Sequence, residues 1–270
     1  MPRKPTTPMP NYAHHTFDGG GIALWHITES ADMLYALLGT TKYDTQLAEK
    51  KNAARRAEWL AVRLLIKHLF GPDAEVAYHP TGRPYLKGVG DFGNSRVIAF
   101  PFGQRTSFLS VAKNLAESHD EILHFIQDDM DNNEIFISIS HTRGYAAVAY
   151  STKGPIGLDI EHISDRVERI ADRFTSPAEA EYIDTYEQHE RMLYHLINWS
   201  AKETLYKVSN NSAAAEFREA FRIAPYELSQ LGTLDVQCFA YTDDALPMCV
   251  HYRVFPDIVC TWVVVSDEVN

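Results

Sequence analysis

Two α/β halves joined near Lys153 are what the sequence predicts, on three observations. Strand-like and helix-like stretches alternate along the chain. A long helix and strand-rich stretches occur once before Lys153 and once after it. The length of 270 residues suits one large domain or two ordinary ones, with ample material for a core. A charged fraction of 23% and an aromatic fraction of 11% are globular values and exclude wholesale disorder.

The charge sum narrows the function. Lys and Arg number 25 against 36 Asp and Glu, a formal net charge of −11. That argues against a chain built to coat nucleic acid or an anionic membrane, although a local basic patch is compatible with it. No apolar run is long enough to span a bilayer. The first ten residues carry four prolines and no apolar stretch. They are expected to be an extended tail rather than a secretory signal, with the tail reaching residue 18. Cys238, Cys249 and Cys260 lie in apolar, strand-like stretches at spacings that fit no zinc site. Buried, reduced thiols in a cytoplasmic protein are expected.

The elements follow in order. Ile22–Ile27 reads as a strand, and Ser30–Leu38 as a short helix stopped by Gly39. From Leu47 to Phe70 apolar residues recur at helical spacing until Gly71-Pro72 ends the pattern. The polar face of that helix carries Lys50, Lys51, Arg55, Arg56, Arg63 and Lys67 against Glu58 alone. It is either a solvated face or a wall for an anionic ligand. Glu75–Tyr78 is a strand, followed by the turn Pro80-Thr-Gly-Arg-Pro84. Residues 87–133 hold a possible strand at Arg96–Phe100 and a possible helix at Phe108–His124; Glu117–Glu134 is acidic. Strands are expected at Glu134–Ser140, Tyr145–Tyr150 and Ile156–Glu161. Ser176-Pro-Ala-Glu179 has the N-cap, first-turn proline and third-position glutamate of a capping box. A helix over Arg191–Val208 and strands at Thr233–Tyr241, Met248–Val254 and Ile258–Val265 complete the chain.

Three constellations can carry chemistry. In Asp159-Ile160-Glu161 the period of two puts both carboxylates on one face of a strand. Such a pair is either a solvated strand edge or hard oxygen ligation for Mg²⁺. In Trp199-Ser-Ala-Lys-Glu-Thr-Leu-Tyr-Lys207, Glu203 and Lys207 are four apart on one helix face. They form either an ordinary helical ion pair or a metal carboxylate and general base beside a proton donor. Ser138-Ile-Ser-His-Thr142 ends a strand with two hydroxyls and an imidazole, which suits a phosphate cradle or a purely structural turn.

The order and spacing of these motifs resembles the 4′-phosphopantetheinyl transferase superfamily, in its single-chain, surfactin-synthetase-activating type. Arg173-Phe-Thr-Ser-Pro-Ala-Glu179 resembles the segment linking that family's two metal motifs, and Thr81-Gly-Arg-Pro-Tyr-Leu86 resembles its Gly-Arg-Pro turn. The resemblance implies an α+β fold of two similar halves about a pseudo-twofold axis, each with a mainly antiparallel sheet on a long helix. The tail would occupy 1–18, one half 19–152, with an insert at about 87–133 that is atypical of the family, and the other half, with the metal motifs, 153–270. The implied activity moves 4′-phosphopantetheine from coenzyme A to a serine of an apo acyl or peptidyl carrier protein, releasing adenosine 3′,5′-bisphosphate. Asp159, Glu161 and Glu203 would converge on Mg²⁺. Glu203, Lys207 and Asp159 would form the catalytic set, with Glu203 taking the serine proton and Lys207 assisting the leaving group. Arg55 or Arg56, Arg83, Ser140, His141, Lys202 and Lys207 would contact coenzyme A. A cytoplasmic monomer without nucleic-acid or membrane partners is expected. Two other functions fit the same residues: a non-catalytic coenzyme A or carrier-protein module, and a different Mg²⁺-dependent phosphotransferase or phosphodiesterase.

Overall fold

A computed structural model describes residues 11–89, 135–209, 217–240 and 245–265. The fold is α+β, with helices and antiparallel sheets in each of two compact units. The first unit comprises residues up to His79, Pro84–Ile137 and Arg143–Thr152; the second comprises Pro80–Arg83, Ser138–Thr142 and the chain from Lys153. The insert at 87–133 lies outside the described residues apart from Lys87–Val89, as do its possible strand at Arg96–Phe100 and helix at Phe108–His124. No helix among the described residues is long and apolar enough to cross a membrane.

In the first unit, β1 (Asn11–Phe17) pairs antiparallel with β2 (Gly20–His26) around the turn Asp18–Gly19. The tail expected to reach residue 18 therefore ends earlier. Asn11–Phe17 is rich in aromatic and β-branched residues, and an Asp-Gly pair is a strong hairpin turn. Helices α1 (Ala31–Leu38), α2 (Asp44–Ala48) and α3 (Ala53–Phe70) follow. The single helix expected from Leu47 is broken because the Asn52 side chain accepts from the Ala54 and Arg55 amides and so starts α3 afresh. The turn Pro80–Arg83 sits in the hairpin of β3 (Glu75–Tyr78) and β4 (Pro84–Lys87). Strand β6 (Tyr145–Ser151) pairs with β2 in the order β1-β2-β6; β5 spans Phe136–Thr142, of which Ser138–Thr142 belongs to the second unit. Helix α3 lies on β6, its Phe70 ring centre 5.6 Å from that of Tyr150, and buries Leu60, Ala61, Leu65 and Ile66.

The basic face of α3 is only partly solvated. Arg63 is buried, its guanidinium carbon 3.2 Å from the Trp59 ring centre and its Nη1 donating to the Trp59 carbonyl. Arg55 is exposed and pairs with the buried Glu58 at 3.2 Å.

In the second unit β7 (Ile156–His162) is the edge of a sheet ordered β7-β11-β10-β9-β8. Its other strands are β8 (Phe221–Ile223), β9 (Leu231–Cys238), β10 (Leu246–Val254) and β11 (Ile258–Val264), and the pairings are antiparallel. A 3₁₀ turn over Asp165–Arg173 leads to α4 (Pro177–Ile183), where the expected capping box of Ser176 and Glu179 is formed. Then come α5 (Gln188–Val208) and the short α6 (Phe217–Ala220). Helix α5 lies on β7 and β11 and fills the core with Leu196, Ile197, Ala201 and Leu205 against Val250, Tyr252, Val259 and Val263. Cys238 and Cys260 are buried and free, as expected; Cys249 is exposed, because alternation along β10 turns it away from that core.

Gly157 sets how closely α5 approaches β7. A Cβ there would stand 2.3 Å from the Thr204 carbonyl oxygen, a backbone atom that cannot turn aside. Gly157→Ala should therefore destabilise the second unit by about 3 kcal/mol, near the top of the overpacking range, seen as a lowered midpoint in calorimetry.

Candidate functional site

Residues one step of two apart on a strand are about 6.6 Å apart, and residues four apart on a helix about 6 Å. Strand β7 and helix α5 run in opposite senses and use this near-match between Asp159 and Gly157 on one side and Ser200 and Thr204 on the other. Glu161 Oε1 accepts from Trp199 Nε1 at 2.9 Å, Asp159 Oδ2 from Ser200 Oγ at 2.9 Å, and Gly157 faces Thr204. Asp159 and Glu161 thus share the face turned to α5, while Ile160 is buried behind them.

Of Asp159, Glu161, Glu203 and Lys207, Asp159 is the most heavily bonded. Its Oδ1 accepts from Ser140 Oγ and from Lys207 Nζ, each at 2.9 Å. Lys207 Nζ also donates to the Leu158 carbonyl at 2.7 Å, which leaves one ammonium proton uncommitted to these partners. The Glu203 side chain makes no hydrogen bond among the described residues and lies within electrostatic reach of Asp159 and Lys207. Burial, and then the negative charge of Asp159, holds Glu203 above the usual carboxylate range. Glu161 is pushed up to about 7 by burial, with Asp159 and Glu203 adding repulsion that the Trp199 hydrogen bond and Lys207 oppose.

Two expected coenzyme contacts are engaged elsewhere. The Ser140 hydroxyl is buried; it accepts from the Ile160 amide at 3.2 Å and donates its only proton to Asp159. With Ser138 Oγ, which accepts from the Leu158 amide at 3.0 Å, it satisfies the outer edge of β7 and cannot also donate to a phosphate. Lys202 is fully buried, donating to the Phe174 carbonyl at 2.6 Å and to Glu179 Oε2 at 2.8 Å. One residue from Glu203 means about 100° around the helix, so Lys202 points away from the site. Glu179 also accepts from the amides of Ser176 and Ile223 at 2.8 Å each, so this pair ties α5 to α4 and β8.

His141 and Arg83 belong to the same unit as Asp159, Glu161, Glu203 and Lys207; His141 is exposed at the end of β5 and Arg83 is half-buried. Arg55 and Arg56 belong to the other unit. Sequence reasoning missed Ser200, Thr204 and Thr261 beside Asp159. Ser200 and Thr204 are four apart on the helix face that Ala201 and Leu205 also bury, which was the available signal.

The expectation of three carboxylates already converged is not met: among the described residues no three His, Cys, Asp or Glu side chains are gathered into a metal-holding group. Hydrogen bonds and burial fix Asp159, whereas Glu161 and Glu203 repel each other and share only the through-space attraction of Lys207 among the described residues. The donors themselves fit a divalent cation. A carboxylate offers about four lone-pair positions, and Asp159 has three filled. Glu161 Oε2 and both Glu203 oxygens accept no hydrogen bond among the described residues.

Residues 155–260 match the family model described as the 4′-phosphopantetheinyl transferase superfamily. The matched span holds Asp159, Glu161, Glu203 and Lys207; Arg55, Arg56, Arg83, Ser140 and His141 lie outside it. No curated protein matches the chain.

Two outcomes follow from this geometry. Lys202→Met strands part of the buried Glu179 charge and should cost about 3–5 kcal/mol in urea denaturation, far beyond the effect of losing a surface ligand contact. Glu161 holds its proton more tightly folded, at about 7, than at its ordinary 4.5, so the cation-free protein should lose stability as pH rises through that window. Glu161→Gln should flatten the decline in a series of thermal melts between those pH values; an unchanged slope would remove Glu161 as its source.

Proposed function

We propose that this protein transfers 4′-phosphopantetheine from coenzyme A to a serine hydroxyl of an apo acyl or peptidyl carrier protein. The observation that supports this best is the joint placement of Asp159, Glu161, Glu203 and Lys207 on the facing sides of β7 and α5, within the span that matches the superfamily. Asp159, Glu161 and Glu203 would hold Mg²⁺. When bound, the ion supplies positive charge against the coenzyme's pyrophosphate.

The chain's own groups do the rest. Glu203, whose proton affinity is raised by burial, takes the proton of the attacking serine hydroxyl. The serine oxygen bonds to the phosphorus that carries pantetheine, and the bond from that phosphorus to the bridging oxygen breaks. Adenosine 3′,5′-bisphosphate leaves with the electron pair. Lys207, fixed by Asp159 and the Leu158 carbonyl, directs its remaining N–H to that departing phosphate. His141 and Arg83 contribute to coenzyme binding from the same unit. The reaction takes place in the cytoplasm.

Incubation with coenzyme A, Mg²⁺ and a panel of apo carrier proteins should add one phosphopantetheine group to a carrier serine, read by intact-mass spectrometry. Glu203→Gln should lower kcat by about 10²-fold or more while far-UV circular dichroism is unchanged. Cleavage of coenzyme A without an acceptor would instead identify a phosphodiesterase.

A further inference from the structure

Three hydroxyls beside Asp159 are absorbed by no step above. Ser200, Thr204 and Thr261 are fully buried. Ser200 and Thr204 are one turn apart on α5, and Thr261 is the cross-strand partner of Asp159 on β11. Ser200 Oγ stands 2.9 Å from Asp159 Oδ2 and 2.9 Å from Thr261 Oγ1. Thr204 Oγ1 stands 2.6 Å from Thr261 Oγ1 and 3.2 Å from the Thr261 carbonyl.

Proton counting orients this row. An ionised carboxylate only accepts, so Ser200 spends its single proton on Asp159. Thr261 must then donate to Ser200, and Thr204 to Thr261, its one proton shared between the Thr261 hydroxyl at 2.6 Å and the Thr261 carbonyl at 3.2 Å. Each bond polarises the next toward the carboxylate. The row matters because the torsion that turns a carboxylate plane is soft. Oδ1 is held by Ser140 and Lys207, and Oδ2 by Ser200 alone. Without that bond the plane can turn and carry away the one lone-pair position left open.

We propose that Thr204, Thr261 and Ser200 form one directed hydroxyl row that fixes the Asp159 carboxylate plane for a divalent cation, making them positioning residues. This rests on the transferase reading for the ion's use, but not for its binding. Outer partners of metal ligands typically change affinity 10–100-fold when removed.

Mn²⁺ binding to the full-length protein in the presence of coenzyme A, followed by electron paramagnetic resonance, tests it. Ser200→Ala should weaken Mn²⁺ binding about 10-fold. Thr261→Val, which keeps the volume and removes the hydroxyl, should weaken it measurably, and Thr261→Ser should restore wild-type affinity. Wild-type affinity in Ser200→Ala and Thr261→Val overturns the proposal. So does an equal loss in Thr261→Ser and Thr261→Val, which would assign the effect to packing. The expected pattern in a protein that transfers nothing to any carrier leaves the row standing and removes the transferase reading; normal transfer with unaffected variants does the reverse. A wild type that binds no Mn²⁺ overturns the proposal outright.

Discussion

One buried carboxylate organises the second unit. Asp159 lies on an edge strand yet is almost wholly removed from water, a position that is costly for a charge unless its lone pairs are met. Three donors meet them, from β5 and from two turns of α5. Ser140 also receives the Ile160 amide, and Lys207 also reaches the Leu158 carbonyl. The groups that neutralise the charge are thus the groups that close the open edge of β7. A sheet edge left to water would be a template for further pairing; here side chains fill it.

The backbone makes this possible through a missing side chain. Gly157 lets the Thr204 carbonyl come close, and only at that separation can Ser200 reach Asp159 and the Trp199 indole reach Glu161. The match between a strand step of two residues and a helix step of four keeps the Asp159–Ser200 and Gly157–Thr204 contacts in register, and the long indole of Trp199, one residue before Ser200, reaches Glu161. Trp199 is in turn held by Phe174 and Phe217, with ring centres 5.2 and 5.6 Å away. Position is passed from an apolar cluster to an indole and from the indole to a carboxylate.

Features governed by local pattern were legible in the sequence. The alternation in Asp159-Ile160-Glu161, the four-residue spacing of Glu203 and Lys207 and the Ser176–Glu179 capping box each follow from one element's periodicity, and each stands as read. What was not legible depends on a single residue's choice of partner. Asn52 stopping one helix and starting another, and Asp18–Gly19 turning a supposed tail into a strand, were local signals left unweighted. Ser140 and Lys202 have the right chemistry for a phosphate, but their partners lie 19 and 23 residues away in sequence. Burial decides between ligand and fold, and burial is a tertiary property. For the same reason the three carboxylates were legible as a set, whereas their failure to converge was not.

Lys202 and Lys207 show how the fold turns one residue type to two purposes. Both are on α5 and both pair with a buried carboxylate, at 2.8 and 2.9 Å. The Lys202 side chain is 0% exposed and that of Glu179 3%; burial pushes the ammonium down and Glu179 draws it back up. Such a pair gives little net stability over an apolar one, but losing either partner is expensive, so it fixes geometry. The Lys207 side chain is 28% exposed against 7% for Asp159. That opening leaves the ammonium anchored at one end and accessible at the other, and an anchored cation with a free N–H is already oriented before a phosphate arrives. Five residues of helix therefore separate a charge that holds the scaffold from one that stays open to solvent. The difference between them is access to solvent, not side-chain chemistry.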